Sequence, residues 1–511
     1  MTKKNVIIIG GGHNGLVCGT YLAKAGYNVN VFEARDTCGG GMAKYEFADG
    51  YSVSSLAQVV HPLNPKVAKD IGVKNNGKAV DTISLGFDGR HLTLGKDTVT
   101  GNGLSADDVA AYKEFKKEFR KYAKALEAMT MTRPPRLKDM DNKDKITLAK
   151  TGWALRFGLG ASSMQEFMRV GGINIFDVLN EVIDDEQIKG AIALDAVLGH
   201  HMGARTPTTV LTYLNRLRGE TYGAPTLPQA GSENAFVVAA EKAGVKLETG
   251  VKIAKINVED GKANGVELAN GETRSADIVI SNADAKTTFL ELVGTQELDA
   301  MFSHRIDKHR SNGNVAKLHI ALTRLPDFTG LSKDDLGNRL IVAPDMKYVE
   351  HAFNHAKYGE MSENPILEIT FPSIEDPSLA PDGHHVMSVS ASFAPYHLKA
   401  GWDKNKSVFS HKVLSLIEKY APGISADVVA EDMMTPVDIE REFNVKGGHW
   451  HHGEMMIDQM FMMRPIHGTA QYNTPIDGLY LCGATAHPGG GITGIPGHNA
   501  AERVIKMEGG K

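Results

Sequence analysis

Val6-Ile7-Ile8-Ile9-Gly10-Gly11-Gly12-His13-Asn14-Gly15 is the stretch that decides the fold of this chain. Val6 to Ile9 is a short β-branched run, apolar on both faces, as a strand buried in a parallel sheet must be. It runs into G-x-G-x-x-G at Gly10, Gly12 and Gly15, after which Leu16, Val17, Leu22 and Ala23 recur at helical spacing up to Gly26. Asn28-Val29-Asn30-Val31-Phe32-Glu33 then reads as a second strand, with Glu33 placed 21 residues beyond Gly12. Strand, tight turn, helix, strand and a terminal carboxylate at that distance predict a dinucleotide site of Rossmann type. Gly10 permits the turn, Gly12 lets a pyrophosphate approach the backbone, and Gly15 lets helix pack closely on strand. The helix start at His13 and Asn14 offers amides and a partial positive charge to phosphate. Glu33 can accept hydrogen bonds from ribose hydroxyls and would repel a 2′-phosphate.

Outward from this unit, 511 residues give room for several domains or one large composite. Hydrophobic residues at 42% and charged residues at 23% are ordinary globular values and argue against a disordered or fibrous chain. Lys+Arg 56 against Asp+Glu 61 leaves a net charge of −5, no basic excess with which to neutralise nucleic acid. Cys18, Cys38 and Cys482 form neither a CxxC pair nor a zinc-ligand spacing, which removes disulfide redox chemistry and structural zinc and suits a reducing compartment. The opening Met1-Thr2-Lys3-Lys4-Asn5 lacks the apolar core of a signal peptide, so the expected location is cytoplasmic. No run of about 18 uncharged apolar residues occurs, which leaves only peripheral contact with a bilayer open.

The glycine motif alone does not separate FAD from NAD. Arg35-Asp36-Thr37-Cys38-Gly39-Gly40-Gly41-Met42 supplies a second glycine cluster directly after the acidic strand. With it the N-terminal segment resembles the phytoene-desaturase-like flavoproteins, which group with the amine-oxidase and glutathione-reductase type of FAD fold. The stretch from Gly244 to Asp284, strand-like with turns at Glu259-Asp260-Gly261 and Asn270-Gly271, resembles that family's middle FAD segment. Gly478-Leu479-Tyr480-Leu481-Cys482-Gly483-Ala484 through Gly490-Gly491-Ile492-Thr493-Gly494-Ile495 to Ala501 resembles its C-terminal flavin motif. A loop of this kind lets backbone approach a flat isoalloxazine, and the following helix can point amides at the flavin N1/O2 edge. The resemblance implies FAD as cofactor, held by Gly10, Gly12, His13, Asn14, Gly15, Glu33, Ala34, Arg35, Gly40, Gly41 and Met42. It adds Val251 near the adenine, and Gly483, Ala484, Gly491, Ile492, Gly494 and Ile495 at the C-terminal loop. His498 stands where many relatives carry arginine. No second nucleotide fingerprint is present, so NAD(P)H is not the expected reductant.

The expected fold class is α/β, a discontinuous Rossmann-type FAD-binding domain with an inserted mixed α+β substrate domain. Residues 1–65, 225–290 and 471–511 would form the first, and 66–224 with 291–470 the second. Residues 106 to 129 predict a charged helix whose Tyr112, Phe115, Phe119 and Tyr122 face the core or, alternatively, a membrane surface. The charged run up to Lys145 is expected to be a loop, and Trp153 to Gly160 is a candidate for dipping into lipid. Gly448-His449-Trp450-His451-His452-Gly453-Glu454 resembles an element near the active site of relatives. One of His449, His451 and His452 could orient substrate or take a proton, since imidazole titrates near neutral pH. No carboxylate partner is placed by spacing, and no metal is expected there. His200-His201 is a second such pair. Met455, Met456, Met460, Met462 and Met463 suit either core packing or a pliable substrate wall, and the cavity is expected to be largely hydrophobic. Arg464 could pair with a substrate carboxylate or a protein acid.

Together these imply an FAD-dependent oxidoreductase that desaturates a C–C bond of a hydrophobic, alicyclic or isoprenoid small molecule, passing electrons to oxygen or a quinone. An amine oxidase acting on a C–N bond and a flavin-bound scaffold with little turnover are the alternatives, and self-association is left open.

Overall fold

The computed structural model describes residues 3–74, 77–136, 138–228 and 231–509, so Met1 and Thr2 of the opening stretch lie outside the described residues. Strand Asn5–Ile9 is the centre of a five-stranded parallel sheet ordered Leu479–Leu481, Ile278–Ser281, Asn5–Ile9, Asn28–Phe32, Lys246–Glu248. A parallel sheet needs cover on its faces. Helix His13–Lys24 packs against the C-terminal helix Ile495–Glu508 and against Asn234–Lys242, with Leu16, Val17, Ala500 and Val504 in the shared core. An antiparallel meander, Ile253–Glu259, Lys262–Leu268 and Thr273–Ser275, lies beside it. The architecture is the discontinuous Rossmann-type domain with an inserted mixed part that the sequence implies.

The inserted part is built on an eight-stranded sheet. Its order is Val428–Met434, Val315–Leu322, His385–Ser392, Leu367–Thr370, Arg339–Val342, Thr82–Ser84, Leu92–Leu94, Val99–Gly101, antiparallel throughout except where Arg339–Val342 meets Thr82–Ser84. Alternation along one strand sets its two faces. Leu340 and Val342 join the core around helix Lys406–Glu418, while Ile341 joins that of the helical layer Ala106–Glu127, Glu186–Val197, Thr209–Glu220 and Met346–Lys357. Hairpin Lys44–Ala48 and Tyr51–Ser54 buries Tyr51 and Val53 against Ala321 and Val386 of this sheet.

The aromatic stripe of helix Ala106–Glu127 faces the core: Phe115 stacks on Phe119 at 4.1 Å between centroids, and both approach Tyr213. The charged run before Lys145 departs from a loop, because helix Asn142–Trp153 starts inside it. Asp141 and Asp144 form a capping box that satisfies the first amides, a signal that outweighs the density of charge. Trp153 at the end of this helix and Phe157 just beyond it are 65% and 66% exposed. Among the described residues no helix is long and apolar enough to cross a membrane.

Candidate active site

The glycine turn is held from both sides. Glu33 Oε2 accepts from the Gly11 amide at 2.7 Å and its Oε1 from the Arg35 amide at 2.9 Å, while Gly39 N donates to Gly11 O at 2.9 Å. Gly10 sits at φ 96°, a left-handed conformation that favours glycine. A Cβ on Gly15 would overlap Gly10 O, so the helix could not approach the turn with a larger residue. No side chain caps the helix at Gly12, which leaves its first amides free. His13 Nε2, Asn14 Oδ1 and Arg35 Nη1 are buried without a hydrogen-bond partner. Buried polar atoms of this kind need an occupant. A dinucleotide supplies phosphate and hydroxyl oxygens where these atoms and free amides lie, so the residues present fit FAD.

A cavity of about 590 Å³ opens from this turn. Its wall carries Gly10, Gly12, His13 and Asn14 of the turn, Glu33, Ala34 and Arg35 after the second strand, and Gly40, Gly41 and Met42 of the second glycine cluster. Val251 reaches it from the meander side, and Ala484, Gly491 and Ile492 from the C-terminal loop. The remaining sequence candidates stand behind the wall. Gly15 is the packing contact just described, and Gly483 lies against Asn282, whose carbonyl carbon a Cβ would meet at 3.0 Å. Gly494 is the left-handed N-cap of the C-terminal helix and Ile495 its first residue, the Ile495 amide donating to Thr493 Oγ1 at 3.3 Å. Burial holds His13 neutral, its pKa down at about 4. His498 is also buried and held below its usual pKa; its Nδ1 donates to Asn499 Oδ1, 2.9 Å away, and it brings no charge to the flavin region.

The histidine motif lies against the C-terminal flavin loop, His451 packing on Gly490. Trp450, His451 and His452 line the cavity, whereas His449 is fully buried behind them, its Nδ1 accepting from the His451 amide at 3.2 Å. His200, also on the wall, stacks on His451 with centroids 5.2 Å apart. Its Nδ1 meets Glu454 Oε2 at 3.2 Å; Glu454 Oε1 accepts from the His201 amide at 2.9 Å and lies 3.5 Å from His449 Nε2. The fold thus supplies the carboxylate that spacing did not place. Glu454 is held well below the usual carboxylate range, since the nearby His449 and His200 outweigh its burial. Burial holds His451 well below 6.5 and His452 at about 4, so both imidazoles are neutral at working pH rather than poised near it.

Among the described residues Arg464 forms no ion pair with an acid. Its guanidinium donates to the carbonyls of His451, Glu454, Gln459 and Ala484 at 2.6–3.1 Å, clamping the histidine loop to the C-terminal flavin loop. Met455 and Met460 are buried in the helical core, and none of the five methionines lines the cavity. The inner wall is also more polar than expected. Beside Leu198, Val59 and Val60 it carries Asp195, Arg216, Arg218, Glu368 and Gln58. Lys317 donates to Gln58 Oε1 from behind, and burial pulls its pKa down to about 7. These polar residues come from helices and strands far apart in sequence, and no motif around Asp195, Gln58 or Glu368 marks them.

Comparison with known proteins agrees with this geometry. Residues 15–505 match the family model described as flavin containing amine oxidoreductase. The mouse protein named pyridine nucleotide-disulfide oxidoreductase domain-containing protein 2 is 31% identical over 98% of this chain and 93% of its own. A limonene dehydrogenase of Castellaniella defragrans is 26% identical, and a neurosporene-forming phytoene desaturase of Cereibacter sphaeroides 25%, each over 98% of this chain and 94% of its own. The solved structure of a putrescine oxidase double mutant superposes with a TM-score of 0.62 at 14% identity, covering 99% of this chain and 98% of that one, which shows the shared fold. The chain is an FAD-dependent oxidoreductase that belongs to the flavin containing amine oxidoreductase family.

Proposed function

We propose that this oxidoreductase desaturates a C–C bond of a largely hydrophobic alicyclic or isoprenoid molecule, with oxygen or a quinone as final acceptor. One observation carries the proposal: a single cavity joins the dinucleotide turn to neutral imidazoles, so one substrate can meet both a hydride acceptor and a proton acceptor. The names of the limonene and phytoene relatives support the C–C chemistry. When bound, FAD supplies the hydride acceptor. Residues 1–65, 225–290 and 471–511 bind it in this proposal, and 66–224 with 291–470 shape the substrate side.

His451 is the proposed proton acceptor. It faces the cavity, and the Glu454 carboxylate behind it favours the imidazolium that forms. Stacking on His200 and the backbone link to His449 fix the ring. Arg464 holds the loop that carries it against Ala484. The exposed Trp153 and Phe157 are the proposed point of bilayer contact, checked by co-sedimentation with liposomes.

The test is product analysis. Incubation of the FAD-loaded enzyme with alicyclic and isoprenoid substrates should yield products two hydrogens lighter that carry a new C=C bond. Formation of an aldehyde or imine with hydrogen peroxide from amines instead would overturn the proposal in favour of C–N oxidation.

A further inference from the structure

Helix Thr209–Glu220 presents Thr212, Asn215, Arg216 and Gly219 to the cavity at three- and four-residue steps, and Arg218 with them. Arg216 is matched, its Nε lying 3.0 Å from Asp195 Oδ1. Arg218 is not. It is 5% exposed, its Nε has no hydrogen-bond partner, and among the described residues no acid lies within ion-pair distance of its guanidinium. Tyr222 and, more weakly, Glu127 are the groups whose fields reach it, and Glu127 forms no ion pair with it. The two acids of the inner wall are already engaged: Arg339 holds Asp195 at 2.7 Å and Glu368 at 2.5 Å. Burial disfavours the charged form of Arg218, but a guanidinium does not lose its proton in a protein. A buried cation without a counter-charge costs several kcal/mol, and the cavity beside it is where a compensating anion can come from.

Resting on the dehydrogenase reading above, we propose that the substrate is a carboxylic acid with an apolar body, and that Arg218 binds its carboxylate. The planar guanidinium fork matches carboxylate geometry with two parallel hydrogen bonds. A single unmatched positive charge suits a monoanion, since Arg216 and Arg339, which could help hold a phosphate dianion, are spent on Asp195 and Glu368. The ammonium group of an amine substrate would be repelled at this position. The dinucleotide phosphates have their own partners in the glycine turn, the free helix amides and Arg35, none of which belongs to helix Thr209–Glu220. With the carboxylate on Arg218, Val59, Val60 and Leu198 are left for the apolar body.

The test is calorimetric titration of the FAD-loaded protein with oleate and cyclohexanecarboxylate, each against its neutral amide, together with the bound-FAD content of every sample. Wild type should bind each acid at least about tenfold more tightly than its amide. R218M should lose that preference with amide affinity and FAD content unchanged, and R218K should keep part of it. Equal binding of acid and amide by wild type, no acid binding, or an acid preference that survives in R218M would each overturn the proposal. So would a loss of FAD in R218M with the acid preference intact, which would assign Arg218 to the flavin. The wild-type comparison decides even if both variants misfold. An acid preference that depends on Arg218, in a protein whose flavin no acid reduces, would leave the carboxylate site standing and remove the dehydrogenase reading.

Discussion

Gly490→Ala should separate proton transfer from cofactor binding. Gly490 has a negative or extended φ that any residue can adopt, so alanine adds only a methyl group. That methyl would overlap the Nδ1 edge of His451, at 2.6 Å from its Cγ and 2.8 Å from its Cβ. Carbon atoms settle at about 3.5–4.0 Å, so the ring must retreat by about 1 Å. A misplacement of that size at a reacting group costs about 100-fold in rate, or about 2.7 kcal/mol of barrier. Local overpacking adds about 1–3 kcal/mol of lost stability. The expected result is a kcat reduced about 100-fold with KM nearly unchanged, and a flavin spectrum and FAD content like wild type. Single-turnover kinetics by stopped-flow absorbance reads the chemical step directly. A variant that keeps wild-type kcat would refute the placement of His451 as proton acceptor.

Other perturbations have definite outcomes. Gly15→Ala drives a methyl into Gly10 O, backbone that cannot rotate away, and should abolish FAD retention on purification, read from absorbance of the isolated protein. Arg464→Met leaves carbonyls of His451, Glu454, Gln459 and Ala484 unpaired, and should destabilise the fold by about 3–5 kcal/mol in urea unfolding. Burial holds His13 at about 4 and His61 and His309 at about 3, all below the ordinary value of 6.5. Between those limits the unfolded chain binds more protons than the folded one, so their contribution is complete above about pH 6.5 and is lost on acidification towards pH 3–4. Each such histidine should remove up to about 1.4 kcal/mol per pH unit in that window, and Tm should fall steeply below pH 6.

The first strand, the glycine turn and helix His13–Lys24 are legible in the sequence because their signals are local: a β-branched run, fixed glycine spacing and a 3.6-residue period. The eight-stranded sheet is not. Thr82–Ser84, Leu92–Leu94 and Val99–Gly101 are too short to show a period, and Thr82–Ser84 finds its partner, Arg339–Val342, more than 250 residues away. Val315–Leu322 is buried along its whole length yet contains Lys317 and His319, which interrupt the apolar pattern a buried strand should show. At the site, residues that act through backbone were readable from glycine content. Those that act through assembled side chains were not, since His200 and Glu454 meet across 254 positions. Arg464 deceived for a related reason: an arginine beside a cavity suggests an anion, but here four backbone carbonyls consume its donors. Arg218 lies in helix Thr209–Glu220, which carries no motif, and its buried Nε without a hydrogen-bond partner has no local signal in the sequence.

The most direct test of the central claim is anaerobic stopped-flow absorbance of the FAD-loaded protein mixed in turn with alicyclic and isoprenoid compounds, including carboxylic acids, and with amines. Bleaching of the flavin bands by the first group, with a product two hydrogens lighter and no effect of amines, is the result this account predicts. Bleaching by amines alone, or by none of them, would contradict it.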